Sequence, residues 1–142
     1  MWINEAKTHA IEIDHSRKIA AKVDVVRSLL KIAHDDDFIK SLPPVTEKTI
    51  PLWGKRIIHN TKAVTIVSLL LWDYDQWGDE KYWTYQAIGF SFCGSKDSFC
   101  KKKGVDIAFA RALRKMEDVE EDCKIYRNLY LTNTGRTSYA YY

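Results

Sequence analysis

Charge of one sign is what this sequence most lacks. Its 22 Lys and Arg are nearly balanced by 19 Asp and Glu, leaving a net +3. That balance excludes a strongly basic nucleic-acid coat and an acidic decoy that imitates phosphate. Long apolar runs are missing as well. The most apolar stretch, Ala63 to Trp72, is about half the length a membrane-spanning helix needs. The opening Met1-Trp2-Ile3-Asn4-Glu5 has no basic segment leading into an apolar run, so no signal peptide is expected. Cysteine is scarce: Cys93, Cys100 and Cys123 make an odd count without framework spacing. This fits a reducing compartment and predicts a cytoplasmic protein without a membrane partner.

Sets of residues that carry chemistry are also thin. His9, His15, His34 and His59 are scattered, with no pair at metal-ligand spacing. Cys93 and Cys100 stand too far apart for a zinc knuckle, and a small buried cysteine is the commoner role. Asp35-Asp36-Asp37 reads as a solvated helix end rather than a cation site. No metal, no cofactor and no enzymatic activity are expected.

What the chain does have is length for a single domain, 142 residues, and many aromatics, 13% of the total. Ordinary hydrophobic and charged fractions, 46% and 29%, argue for a packed globule. Residues 1 to 14 alternate weakly and suggest an edge strand. From Ser16 the period changes: Ile19, Val23, Val26, Leu30 and Ala33 recur at three and four, with Lys22 among the charges largely off that stripe. This amphipathic helix fades by Asp37, and Pro43-Pro44 forbids its continuation. Residues 43–60, with Pro51 and Gly54, read as an irregular connection.

The β-branched run 63–71 and the return run 82–92 predict an antiparallel hairpin. Its tip, 73–80, is acidic and aromatic. The acids Asp73, Asp75, Asp79 and Glu80 would repel a nucleic-acid backbone, so Trp72, Trp77 and Trp83 suit a protein contact or self-association better. A second helix is expected from Ser98 to Met116, with Gly104 permitting close approach of a backbone or a ligand. The acidic block 117–122 follows, then a strand over 125–132 and a tyrosine-rich end. The expected fold is α+β, an antiparallel sheet with a central hairpin and two main helices packed against it.

The turn Gly94-Ser95-Lys96-Asp97-Ser98 runs from a strand end into a helix start. Ser95 and Asp97 are candidate N-caps, and free N–H groups at such a start favour an anion. Lys101, Lys102 and Lys103 come next, where positive charge opposes the helix dipole. Stability alone would put acids there, so the lysines point to an anionic ligand or acidic partner. The same residues also read as a capped helix with a solvated lysine run.

Gly89-Phe90-Ser91-Phe92-Cys93-Gly94-Ser95-Lys96-Asp97-Ser98-Phe99, then Gly104 and Ile107-Ala108-Phe109-Ala110-Arg111-Ala112-Leu113, resembles a pattern in small phage-encoded proteins, including the Thoeris anti-defence protein 1 family. The resemblance spans residues 62–115. It implies a phage-type counter-defence protein that binds a nucleotide-derived, cyclic ADP-ribose-like signal without cleaving it and assembles into a homo-oligomer in the host cytoplasm. On that reading Arg111 with Lys101 and Lys103 would hold phosphates, and Phe99, or an aromatic from the tail, would stack on the base beside Ser95 and Asp97. Two other readings stay open: an inhibitor that binds a host or defence protein, and a small nucleic-acid-binding module.

Overall fold

The computed structural model describes residues 1–33, 36–41, 46, 48–74, 81–94 and 101–135. Strands β1 (Trp2–Ile3), β2 (His9–Ser16), β3 (Thr61–Tyr74) and β4 (Lys81–Gly94) form one sheet in the order β1-β2-β3-β4. Its strands are antiparallel, which makes the fold α+β as expected. Strand β1 lies at one end of the order, with Trp2 opposite Ile11 and Ile3 opposite Ala10. The helices are α1 (Ile19–Ala33), α2 (Asp36–Ser41), α3 (Leu52–Asn60), α4 (Lys101–Arg114) and α5 (Glu120–Thr134). The chain divides into two compact units, one of residues 1–14, 65–91 and 101–142, the other of 15–64 and 92–100.

The first unit holds the larger core. Phe109 of α4 stacks flat on Tyr130 of α5 at 4.0 Å, and Trp2 tilts against the same tyrosine at 5.9 Å. Ile11, Val67, Leu69, Ala108, Ala112 and Leu113 close around them. Each of the larger aliphatic side chains, Ile11, Val67, Leu69 and Leu113, contributes about 1.5–3 kcal/mol of burial. Helix α4 can lie this close to β4 because Gly89 has no side chain: a Cβ there would stand 2.0 Å from the Ala108 carbonyl oxygen and 2.5 Å from the Ala112 nitrogen. Gly104 does the same one level along, where a Cβ would meet Thr65 Oγ1 at 2.8 Å. Its carbonyl accepts from Ser91 Oγ at 2.8 Å. The close approach expected at Gly104 is to neighbouring β-strands.

In the second unit α1 buries Val23, Val25, Val26 and Leu30, while Ile19, expected on the inner stripe, is 46% exposed. Lys22, expected off the stripe, is buried and donates to the Thr61 carbonyl at 2.7 Å. The long stem reaches past the apolar residues to a backbone acceptor that needs a donor.

Two segments differ from expectation. Within 43–60, residues Leu52–Asn60 are helical: Pro51 precedes the first turn, where a missing N–H costs nothing, and Gly54 packs on Val26, whose methyl would lie 2.8 Å from any Cβ. The expected strand 125–132 lies within helix α5, which buries Cys123, Tyr126, Leu129 and Tyr130 at helical spacing. Glu120, Glu121 and Asp122 sit in its first turn, where negative charge complements the dipole, and Gly135 closes it with φ 70°.

Candidate functional site

Helix α4 opens with the lysines. Lys101, Lys102 and Lys103 are all exposed, with no acid in that turn. Ser95, Asp97 and Phe99, the other expected site residues of this segment, lie outside the described residues. Further along, Arg111, Arg114 and Lys115 are exposed as well. The single acid of the helix, Asp106, is buried and receives the Tyr130 hydroxyl. Asp106 is therefore turned into the core, and α4 presents only bases outward.

Arg111 does not pair with Asp106 or with the 117–122 acids. Its guanidinium donates to the Phe90 carbonyl of β4 at 2.8 Å. Lys115 donates to the Ile88 carbonyl, with its ammonium 5.5 Å from the Phe90 ring centre. Both cations are thus tethered along β4. A guanidinium has five N–H groups, so one backbone bond leaves donors that can face a ligand.

A second constellation was not visible in the sequence. It begins in the turn between β1 and β2. Asn4 Oδ1 accepts from the Thr8 and His9 nitrogens at 2.9 and 3.0 Å, and Asn4 Nδ2 donates to Thr8 Oγ1 at 2.9 Å. Lys7 takes a left-handed conformation, φ 57°, to close this turn. Thr8 Oγ1 lies 2.6 Å from His9 Nδ1, and His9 Nε2 lies 2.7 Å from Asp122 Oδ1. The other carboxylate oxygen, Asp122 Oδ2, accepts from Gln86 Nε2 at 2.8 Å. That fixes the amide so that Gln86 Oε1 faces the Tyr126 hydroxyl at 2.7 Å, and the same hydroxyl lies 2.7 Å from the Leu70 carbonyl.

Proton positions follow from these partners. Burial alone would push the Asp122 carboxyl up. Hydrogen bonds from His9 and Gln86, with the charge of His9, outweigh it and hold the carboxyl below its ordinary value. An ionised carboxylate only accepts, so His9 carries its proton on Nε2 when neutral. Nδ1 is then an acceptor, and the Thr8 hydroxyl must donate to it. Tyr126 is pushed well above its ordinary value by burial, with the nearby Asp122 charge adding to the effect, and stays a donor. The His9 ring meets the Tyr126 ring edge-on at 5.0 Å.

Thr8 also borders a groove of about 730 Å³, lined by the 3–8 turn and by Trp72 and Trp83. The two indoles meet at 4.9 Å and 63°. The expected aromatic patch is thus partly here, as a groove wall; Trp77 lies outside the described residues. Among the described residues no cluster of metal-ligating side chains occurs, and no helix is long and apolar enough to cross a membrane. No family model, no curated protein and no solved structure matches the chain.

Proposed function

We propose that the chain binds an anionic, nucleotide-derived signal without cleaving it, a sponge of the phage counter-defence type acting in the host cytoplasm. The observation that supports it is the sorting of charge on α4 and the residue that follows it, Lys115. Six bases stand outward, Lys101, Lys102, Lys103, Arg111, Arg114 and Lys115, while the one acid is inside. Three of the six sit where they weaken the helix. Arg111 and Lys115 are held in place by β4 carbonyls, so less side-chain entropy is lost when an anion binds. On this reading Arg111, Lys101 and Lys103 hold phosphates.

A protein partner, or a second copy of the chain, is the other reading. Tyr82, Tyr85 and Ile88 favour it: all three are exposed along β4, Tyr85 by 64%. Aromatic side chains in the open are interface anchors more often than charged ones are.

Mass spectrometry of small molecules released from freshly purified protein tests the first reading, with light scattering for assembly. A nucleotide should be released from wild type and lost from Lys101→Glu and Lys103→Glu. Those variants should change stability by no more than about 0.5 kcal/mol. Release of no nucleotide, with both variants binding cyclic ADP-ribose isomers as wild type does or neither binding at all, removes this site.

A further inference from the structure

The Thr8–His9–Asp122 relay has the form of an activated nucleophile, and it opens on a groove. We infer that Thr8 is a nucleophile for acyl transfer and that the groove beside it takes carboxylic esters with a flat or aromatic apolar group. This goes beyond the binding proposed for α4, on other residues, and does not depend on it.

Three requirements for hydroxyl nucleophilic catalysis are met by separate observations. The nucleophile touches its base: Thr8 Oγ1 and His9 Nδ1 are 2.6 Å apart, and the hydroxyl is the donor when His9 is neutral. The base is oriented by a half-buried carboxylate: His9, only 5% exposed, is held at 2.7 Å by Asp122, and Asp122 is itself held by Gln86. Here Nδ1 rather than Nε2 faces the hydroxyl, which preserves the chemistry because one nitrogen accepts and the other donates. A donor for the oxyanion stands beside the nucleophile: Asn4 Nδ2 donates to Thr8 Oγ1 at 2.9 Å, and an amide nitrogen carries two N–H groups, so one can turn to the oxyanion that forms next to it. A carbonyl carbon attached to Thr8 Oγ1 would bring its oxyanion within that donor's reach.

The groove supplies the substrate class. Ile3, Ala6, Trp72 and Trp83 offer apolar and π surface, while Glu5 and Lys7 cancel in charge. An uncharged ester with a flat group matches that lining better than a phosphate does. In the first step Thr8 Oγ1 bonds to the ester carbon as its proton moves to His9 Nδ1. The carbon–oxygen bond to the alcohol then breaks, and His9 returns the proton to the departing alkoxide. Water attacks the acyl-threonine, gives its proton to His9, and His9 gives that proton to Thr8. Ester and water become acid and alcohol, and the protein is restored.

The test uses the full chain with two probes, an aryl fluorophosphonate and p-nitrophenyl butyrate. The fluorophosphonate should add once, with loss of fluoride, and peptide mass mapping should place the adduct on Thr8. Hydrolysis of the ester should fall to the buffer rate in Thr8→Ala and persist in Thr8→Ser. In Asp122→Asn it should fall by about 100-fold, the scale of lost base catalysis. An adduct elsewhere, no adduct on wild-type protein, or Thr8→Ala turning over like wild type overturns the assignment. The labelling arm needs no variant, so a misfolded Thr8→Ala leaves it decisive. Nucleotide release from wild type reads the α4 site separately.

Discussion

His9 Nε2 lies 2.7 Å from Asp122 Oδ1 although 113 residues separate them. That one bond ties the start of β2 to the first turn of α5. Gln86 on β4 joins it through the second oxygen, so one carboxylate fastens three elements of the first unit.

Breaking that clasp should be costly. His9→Ala removes one donor to Asp122 and one ring contact to Tyr126, and the expected loss is about 2 kcal/mol. Urea unfolding measures it. A double-mutant cycle with Asp122→Ala should return a coupling near 1 kcal/mol, since the residues touch; additive effects would show that the bond contributes little.

The same carboxylate makes stability depend on acid. Asp122 is held below its ordinary value of 3.8 in the folded chain. It therefore binds a proton more weakly when folded than when unfolded. Its contribution is fully present above the unfolded pKa and is lost as pH falls through the folded one. Unfolding midpoints measured from pH 6 down to pH 2 should fall at the acid end, and Asp122→Asn should flatten that fall.

Gly89→Ala should be among the most damaging small changes in the chain. The added methyl would meet two backbone atoms of α4, neither of which can move alone. A loss of roughly 3 kcal/mol is expected, in the range of overpacked cores. Gly135→Ala has open space around it and only its positive φ to oppose it, so about 1 kcal/mol is expected. Thermal melting of the two variants should rank them in that order.

Arg111→Lys separates anchoring from recognition. Lysine can still reach a carbonyl, so stability should change by less than about 1 kcal/mol. The planar fork is lost, and with it paired contact to a phosphate. Calorimetric titration with cyclic ADP-ribose isomers should show weaker binding by Arg111→Lys at an unchanged melting temperature. Equal affinity would mean that Arg111 serves only Phe90.

Strong period and strong propensity made α1, the β3–β4 pair and α4 readable. The runs 63–71 and 82–92 needed only local chemistry to be recognised. Helix α3 was hidden because Pro51 and Gly54 act as breakers in general, and only the contact of Gly54 with Val26 reveals why this glycine is inside a helix. Helix α5 had its signals in view. Three acids at its start and Cys123, Tyr126 and Tyr130 at spacings of three and four mark a helix, but tyrosine and isoleucine also favour strands. The relay could not be read at all. His9 and Asp122 look unremarkable in their own neighbourhoods, and only the fold brings them together. Of the residues expected at the anion site, Lys101 and Lys103 stand exposed in the first turn of α4. Arg111 took a carbonyl partner that no pattern of side chains could announce.

Strand β4 ends the sheet order, and a terminal strand normally offers its backbone to any passing chain. Two of its acceptors are taken: Arg111 covers Phe90 and Lys115 covers Ile88. A foreign strand arriving there would have to displace two cations before it could add to the ladder. Arg111 and Lys115 thus guard this border against fibrous growth, and favour contact through side chains over lengthening of the sheet for copies of the chain that associate along β4.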